Sequence, residues 1–229
     1  LYVAVGNSGI HTSYDGIHWT TNASGTALLT NSNTYHNGKV LWNGAIWVAA
    51  GNGGSGISLI YSEDGQNWYS GGTNIFGSTY GAFDIAGNGT LWVACGEGGN
   101  GIDKTRIVAY SYTGKSWTTI LLDSKIFNGN PDYNVNKPLS LEWDGKSFVL
   151  TLNSNVSNSS DKHNMITSPD GIIWTHQQHA IITSVNISKW TGSNFILGGE
   201  DPTNTLLQKQ TEGYSNWYKG HEPYTNQIY

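Results

Sequence analysis

The stretch IYSEDGQNWYS, residues 60–70, carries a pattern, Ser-x-Asp-Gly-x-x-Trp, that decides the fold because the chain repeats it. TSYDGIHWT stands at 12–20, YSYTGKSWT at 110–118 and TSPDGIIWT at 167–175. A fifth copy, TEGYSNW (211–217), keeps the Trp and has lost both Asp and Gly at the aligned positions. The marker tryptophans Trp19, Trp68, Trp117, Trp174 and Trp217 are therefore 49, 49, 57 and 43 residues apart. A second element precedes each turn by about 20 residues: WNGAIWVAAG (42–51), GNGTLWVACG (87–96), WDGKSFVLTL (143–152) and WTGSNFILGG (190–199). The first copy is cut to LYVAVG (1–6). Two markers in constant order at such a period are the mark of a repeat architecture.

Each repeat reads as four short strands. The first ends at an Asn-Gly, Asp-Gly or Thr-Gly turn, which is expected to be a two-residue hairpin with its positive φ supplied there. The second is an apolar run such as WVAAG or FVLTL, consistent with burial on both faces. A Gly- and Asn-rich loop leads to the third strand, as in SLIYS (58–62). The Asp-Gly turn then delivers the fourth strand, starting at the marker Trp. Four strands in such a unit, repeated radially, predict an all-β fold, a five-bladed β-propeller of four-stranded antiparallel blades forming a single domain over residues 1–229. The first blade lacks its opening strand, and YTNQIY (224–229) has the length to supply it. Pairing the two ends would close the ring and remove open sheet edges. The other reading is a piece of a larger propeller.

The composition agrees. The chain has 30 Gly, 24 Asn, 10 Trp and 13 Tyr, and only 12% of its residues are charged, so turn formers and strand-favouring aromatics outnumber helix formers. The formal net charge is −5, and Arg106 is the single arginine. No basic stripe exists to neutralise phosphates, so nucleic acid is not an expected partner. Nor is membrane insertion, since no apolar run approaches a spanning length. Leu1 opens the sequence without Met, which reads as a processed or excised chain. The lone Cys95 can form neither an internal disulfide nor a multi-thiolate zinc site, and within WVACG it reads as a small core residue.

The motif resembles the Asp-box (BNR) repeats of sialidase-like propellers. It is closer still to the FVAVG…TSxDGxxWT repeats of many bacterial, phage and large-virus proteins of unknown function. It departs from the sialidase Asp-box, which has one more residue between Asp and Gly, and Thr113 replaces the Asp in the third copy. The resemblance implies the propeller. It does not imply sialidase activity, because those enzymes use an arginine triad and one Arg cannot form it.

Asp15, Asp64 and Asp170 could be repeated acids or metal ligands, or they could cap turns through their carboxylates while Trp19, Trp68, Trp117, Trp174 and Trp217 pack beneath. Repetition favours the cap: one active site needs one acid, whereas every blade needs its hairpin. No catalytic residue is expected. Glu97, Asp103, Asp161, Glu200 and Asp201 lie in or near the loops after the second strands, isolated among Asn, Gly and Ser rather than paired as a glycosidase requires. His163, His176, His179 and His221 show no metal-ligand spacing. No cofactor is implied, although the oxygens of GEGGNGID (96–103) or GGEDPTN (198–204) could hold Ca²⁺ weakly.

Recognition remains. Neutral polar side chains beside aromatic faces suit carbohydrate, and the loops AGNGGSGIS (50–58), CGEGGNGID (95–103), LNSNVSNSSDKHN (152–164) and GGEDPTN offer them. Propeller loops are also Asn- and Gly-rich for turn reasons alone. In architecture the chain is similar to five-bladed propeller lectins. The expected function is a non-enzymatic, lectin-like module binding glycans or a glycosylated surface through Asn52, Glu97, Asn100, Asp103, Asn155 and Asp201 on one loop face. It would act outside a cell or on a particle such as a virion. The alternatives are an assembly or adhesion module that binds protein, and a glycoside hydrolase other than a sialidase. Five Asn-x-Ser/Thr sequons, at Asn22, Asn88, Asn155, Asn158 and Asn186, permit glycosylation without indicating it.

Overall fold

A computed structural model describes residues 1–29, 38–53, 56–77, 81–98, 105–122, 126, 137–153, 165–177, 184–200, 207–209 and 217–219. The chain opens with β1 (Tyr2–Gly6), β2 (Gly9–Ser13) and β3 (Thr20–Thr21), followed by a short helix, α1 (Ala23–Leu28). Four four-stranded units follow. They are β4 (Lys39–Trp42), β5 (Trp47–Gly53), β6 (Ile57–Ser62) and β7 (Tyr69–Ser70), then β8 (Gly81–Gly87), β9 (Trp92–Gly98), β10 (Thr105–Ser111) and β11 (Thr118–Leu121). Next come β12 (Lys137–Trp143), β13 (Phe148–Asn153), β14 (Met165–Ser168) and β15 (Thr175–His176). The last are β16 (Ser184–Trp190), β17 (Phe195–Glu200), β18 (Leu207–Lys209) and β19 (Trp217–Lys219). Within each unit the strands pair antiparallel in sequence order, the layout of propeller blades. A strand pairing at Asn153 and Ser184 joins the last two units. The first strands β4, β8, β12 and β16 lie side by side as the inner strands.

Three features differ from the sequence reading. The first is the short helix α1, the one α-helix among the described residues. Asn22 caps it, its side-chain oxygen accepting from the Gly25 N–H. The second concerns the fourth strands, which start one residue after the marker Trp in the first four units. The third is the first hairpin of each unit, which is a four-residue loop and not a two-residue turn. Trp42 pairs with Trp47 across residues 43–46, and Trp143 with Phe148 across 144–147. Only the glycine of the Asn-Gly or Asp-Gly pair has positive φ, Gly44 at 100° for example. The residue before it acts through its side chain instead: Asn43 Oδ1 accepts from Ala45 and Ile46 at 3.0 Å each, and Asp144 Oδ1 does the same for Lys146 and Ser147.

The marker turn uses the same device with a carboxylate. Asp64 Oδ1 accepts from the N–H of Gln66 (2.8 Å) and Asn67 (2.7 Å) and from the Ser62 hydroxyl (3.0 Å). Ser62 Oγ in turn accepts from Gly65 N–H at 2.8 Å. Asp15 and Asp170 repeat the pattern, on Ile17 and His18 and on Ile172 and Ile173. These bonds hold all three carboxyls below the ordinary Asp range. The largest cause is the backbone N–H of Asn67 for Asp64, the backbone N–H of Ile173 for Asp170 and the His18 side chain for Asp15. Thr113 manages less: its hydroxyl accepts only from Lys115 N–H, at 3.2 Å.

The turn also joins units. A Cβ added to Gly65 would stand 2.5 Å from Leu1 of the preceding unit, one on Gly114 2.8 Å from Val48, and one on Gly171 2.7 Å from Leu91 and Val93. Only glycine lets these tips press so close. Trp68 then fills the junction with Ile10, Leu29, Ala49 and Ile60, and Trp174 the junction with Leu91, Val93 and Phe148. Trp68 Nε1–H donates to the Gly65 carbonyl, whereas that of Trp174 is buried with no acceptor among the described residues. The indole bond recurs at Trp19, whose Nε1–H donates to the Gly16 carbonyl at 3.1 Å, so ring burial and hydrogen bond vary independently from unit to unit. Trp19 differs from both. It is 43% exposed against 4% for Trp68, with Tyr2 at 56%, because no described residue of a preceding unit covers that face of the first one. Cys95 is fully buried, and burial foremost pushes its thiol well above the ordinary range.

Two measurements follow from these contacts. Trp68→Ala should cost about 3–5 kcal/mol in denaturant unfolding, and Trp19→Ala less than half as much. Thr113→Asp should supply the missing acceptor and stabilise by about 0.5–1.5 kcal/mol at neutral pH. Carboxyls with depressed pKa contribute fully above their unfolded value and lose that contribution as pH falls through the folded one. The gain of Thr113→Asp should accordingly fade below about pH 4.

Candidate functional site

Because the strands of each unit alternate in direction, the hairpin and marker turns gather at one end and the second-to-third-strand connections at the other. The second end is the loop face. Asn52 is half-buried near the end of β5, inside a register shift between Ala50 and Gly53. Glu97 sits not in a loop but in β9, only 3% exposed, opposite Arg106 of β10. So covered a side chain offers little surface to a ligand, unlike the open loop position expected from the sequence. Arg106 is itself 7% exposed; burial lowers its pKa and the charge of Glu97 opposes that. Asn100, Asp103, Asn155 and Asp201 lie outside the described residues, as do Asp161 and most of both candidate Ca²⁺ loops.

The described acids converge elsewhere, among the inner strands. Lys39 of β4 donates to Asp84 of β8 at 2.8 Å, and to the Leu141 carbonyl (3.3 Å) and Glu142 (3.4 Å) of β12. Lys39 thus reaches past its neighbouring unit to the one beyond. Lys189 of β16 approaches the same Glu142 at 3.0 Å. Asp84 also accepts from the N–H of Leu141 (2.8 Å) and Ile85 (2.7 Å). Ser140 stands where Asp84 does, four residues before the turn cap. Its hydroxyl accepts from Ser188 N–H of the next unit at 3.0 Å, as Asp84 accepts from Leu141. One structural position therefore seats the inner strand of the following blade twice, once with a carboxylate and once with a hydroxyl.

The chemistry of this cluster is cohesive. Burial pulls the Lys39 pKa down, but attraction from Asp84 and then Glu142 outweighs it, and the ammonium is held above the ordinary lysine value. Asp84 is 7% exposed, so its charge depends on that cation and on two backbone donors. Sequence reading missed the cluster because its members alternate in sign and type. They line up only when each first strand is counted back from its turn cap. Among the described residues, no three or more His, Cys, Asp or Glu side chains gather as a metal site. Nor is any described helix long and apolar enough to cross a membrane.

No protein-family model matches the chain, and no curated protein does. Among solved structures it is similar to YCF48 bound to D1 peptide, at 11% identity and a TM-score of 0.51, over 92% of this chain and 60% of that one. It is also similar to an ancestral GH74 enzyme, at 14% identity and a TM-score of 0.57, over 96% of this chain and 32% of that one. The chain thus spans less than two thirds of either. Both neighbours are β-propellers, and likeness at such identity carries the fold alone.

Breaking the inner cluster tests its cohesive role. Lys39→Met strands Asp84 without its cation and should cost about 3–5 kcal/mol. Adding Asp84→Asn should recover part of that loss, giving a coupling energy of about 0.5–3 kcal/mol in a double-mutant cycle. A raised lysine pKa contributes fully below the unfolded value. The lysine's share of the wild-type advantage should hold through neutral pH and fall away in strong alkali, as pH climbs through the folded pKa. Burial, foremost, raises the Asp84 pKa, so the ion pair should also weaken in acid, where that carboxyl takes up a proton.

Proposed function

We propose that the chain is a non-enzymatic recognition module, a five-bladed ring closed by YTNQIY (224–229) against β1, whose loop face binds glycans in a lectin-like manner. The Asp-box-like repeat is its scaffold. The observation that carries the reading is the fate of the described acids. Asp15, Asp64 and Asp170 are bound up in turns, Asp84 and Glu142 share Lys39, and Glu97 is buried opposite Arg106. A glycosidase needs two carboxyls free to trade protons across one cleft, and these carboxyls are already committed, while Asp103 and the Glu200 side chain lie outside what the structure describes. That disfavours the glycoside hydrolase reading, whose support is likeness in fold to a GH74 enzyme.

Ligand contact falls to the loop residues Asn52, Asn100, Asp103, Asn155 and Asp201, with Glu97 and Arg106 stiffening the strands beneath. Weak sites facing one way gain avidity together without one strong contact. The expected setting is an extracellular or particle surface. A second reading, docking of a protein segment, is favoured by one observation: the similar propeller YCF48 was solved with a peptide bound.

A glycan array probed with folded protein should give hits that Asn52→Ala weakens while leaving the unfolding midpoint unchanged. An array without hits would refute glycan recognition and leave the protein-docking reading standing.

A further inference from the structure

The structure treats two of the chain's sequons in opposite ways. Asn88 of Asn88-Gly89-Thr90 uses only its side-chain oxygen, which accepts from Thr90 N–H (3.0 Å), Leu91 N–H (2.8 Å) and the Thr90 hydroxyl (3.0 Å). The turn is open, with nothing within 4 Å of a Cβ built on Gly89. A sugar on Nδ2 would leave this cap intact.

Asn22 of Asn22-Ala23-Ser24 is 7% exposed and uses both ends of its amide. The oxygen caps α1 by accepting from Gly25 N–H at 2.7 Å. The nitrogen donates to the Gln66 carbonyl at 2.8 Å and faces the Gln66 side-chain oxygen at 3.5 Å, both in the next unit's marker turn. Ser24, the hydroxyl residue of the sequon, bonds the Trp68 N–H at 2.8 Å and the Trp68 carbonyl at 3.3 Å. The whole tripeptide is thus part of the seam between the first two units.

N-glycosylation acts on the extended chain before such a seam forms. The Asn Nδ2 attacks C1 of an oligosaccharide carried on a polyprenyl pyrophosphate. The bond from C1 to the pyrophosphate oxygen breaks, polyprenyl pyrophosphate leaves, and one Nδ2 hydrogen departs as a proton to a base of the transferase. At Asn22 the new substituent would occupy the space that Gln66 fills and hold the first two units apart. We propose that the fold cannot accommodate a glycan on Asn22, and that this protein matures outside any compartment that N-glycosylates nascent chains. The surface on which it acts is then reached by bacterial secretion or by particle assembly in a cytosol, whether its ligand is a glycan or a protein.

Ala23→Pro separates the sequon from the seam. Proline at this position abolishes the acceptor sequence. Ala23 is exposed at the first position of α1, where proline is favoured, and Asn22 already has the extended backbone (φ −85°, ψ 109°) that a following proline requires. Asn22 and Ser24 keep every contact. Wild type and Ala23→Pro should fold alike in a bacterial cytosol, with the same unfolding midpoint. Directed with a signal peptide into the secretory pathway of cultured eukaryotic cells, the wild type should be retained, with a glycan on Asn22 by site-resolved mass spectrometry. Ala23→Pro should be secreted in at least several-fold greater amount. Equal secretion of the two, or equal retention, overturns the proposal, as does secreted folded wild type carrying a glycan on Asn22.

Discussion

The marker turn, closed by a carboxylate at Asp15, Asp64 and Asp170 and by a hydroxyl at Thr113, is the constraint on which the rest hangs. Asp64 gathers two backbone N–H groups and a serine hydroxyl on one oxygen, each worth on the order of 1 kcal/mol net. Its larger effect is geometric. The closed turn puts Gly65 at a φ of 74° and aims a tip without a Cβ at the preceding blade, and Trp68 follows into the junction. A local hydrogen-bonding pattern is thereby converted into contact between units. Repeating it down the chain repeats the junction, and the inner strands are then near enough for Lys39, Asp84, Glu142 and Lys189 to meet.

What the sequence disclosed follows from this division between local and distant. Ser-x-Asp-Gly-x-x-Trp is self-contained chemistry, so its period and the four-strand unit could be read directly. The Asn-Gly turns were read two residues too short, because the dipeptide signals a glycine at positive φ without revealing that Asn43 caps a longer loop. Trp19 and Trp68 are identical in motif and differ tenfold in exposure, because the covering residues belong to another unit. The Lys39 cluster left no motif, since its partners come from separate repeats and carry different charges. Glu97 looked like a loop acid because glycines follow it, yet the ladder with Arg106 runs through that position and buries it.

A scaffold that spends its acids on turns and seams leaves little for acid–base chemistry among the described residues. That is the physical basis on which recognition is proposed for the loops. The Asn22 seam extends the same logic. The amide that joins the first two units is also a sequon, so the folding environment is constrained by a structural bond and not by the ligand site.

Amide hydrogen exchange at the marker turns tests the central claim most directly, because the N–H groups of half-buried Gln66 and exposed Asn67 are both held by Asp64. If the carboxylate is a cap on which the blades depend, both amides should exchange only through global unfolding, far more slowly than those of Lys115 and Ser116 beside Thr113. Fast exchange at Gln66 and Asn67, equal to that at Lys115 and Ser116, would contradict the account. The acid would then be free for chemistry, and the fold would rest on something other than its turns.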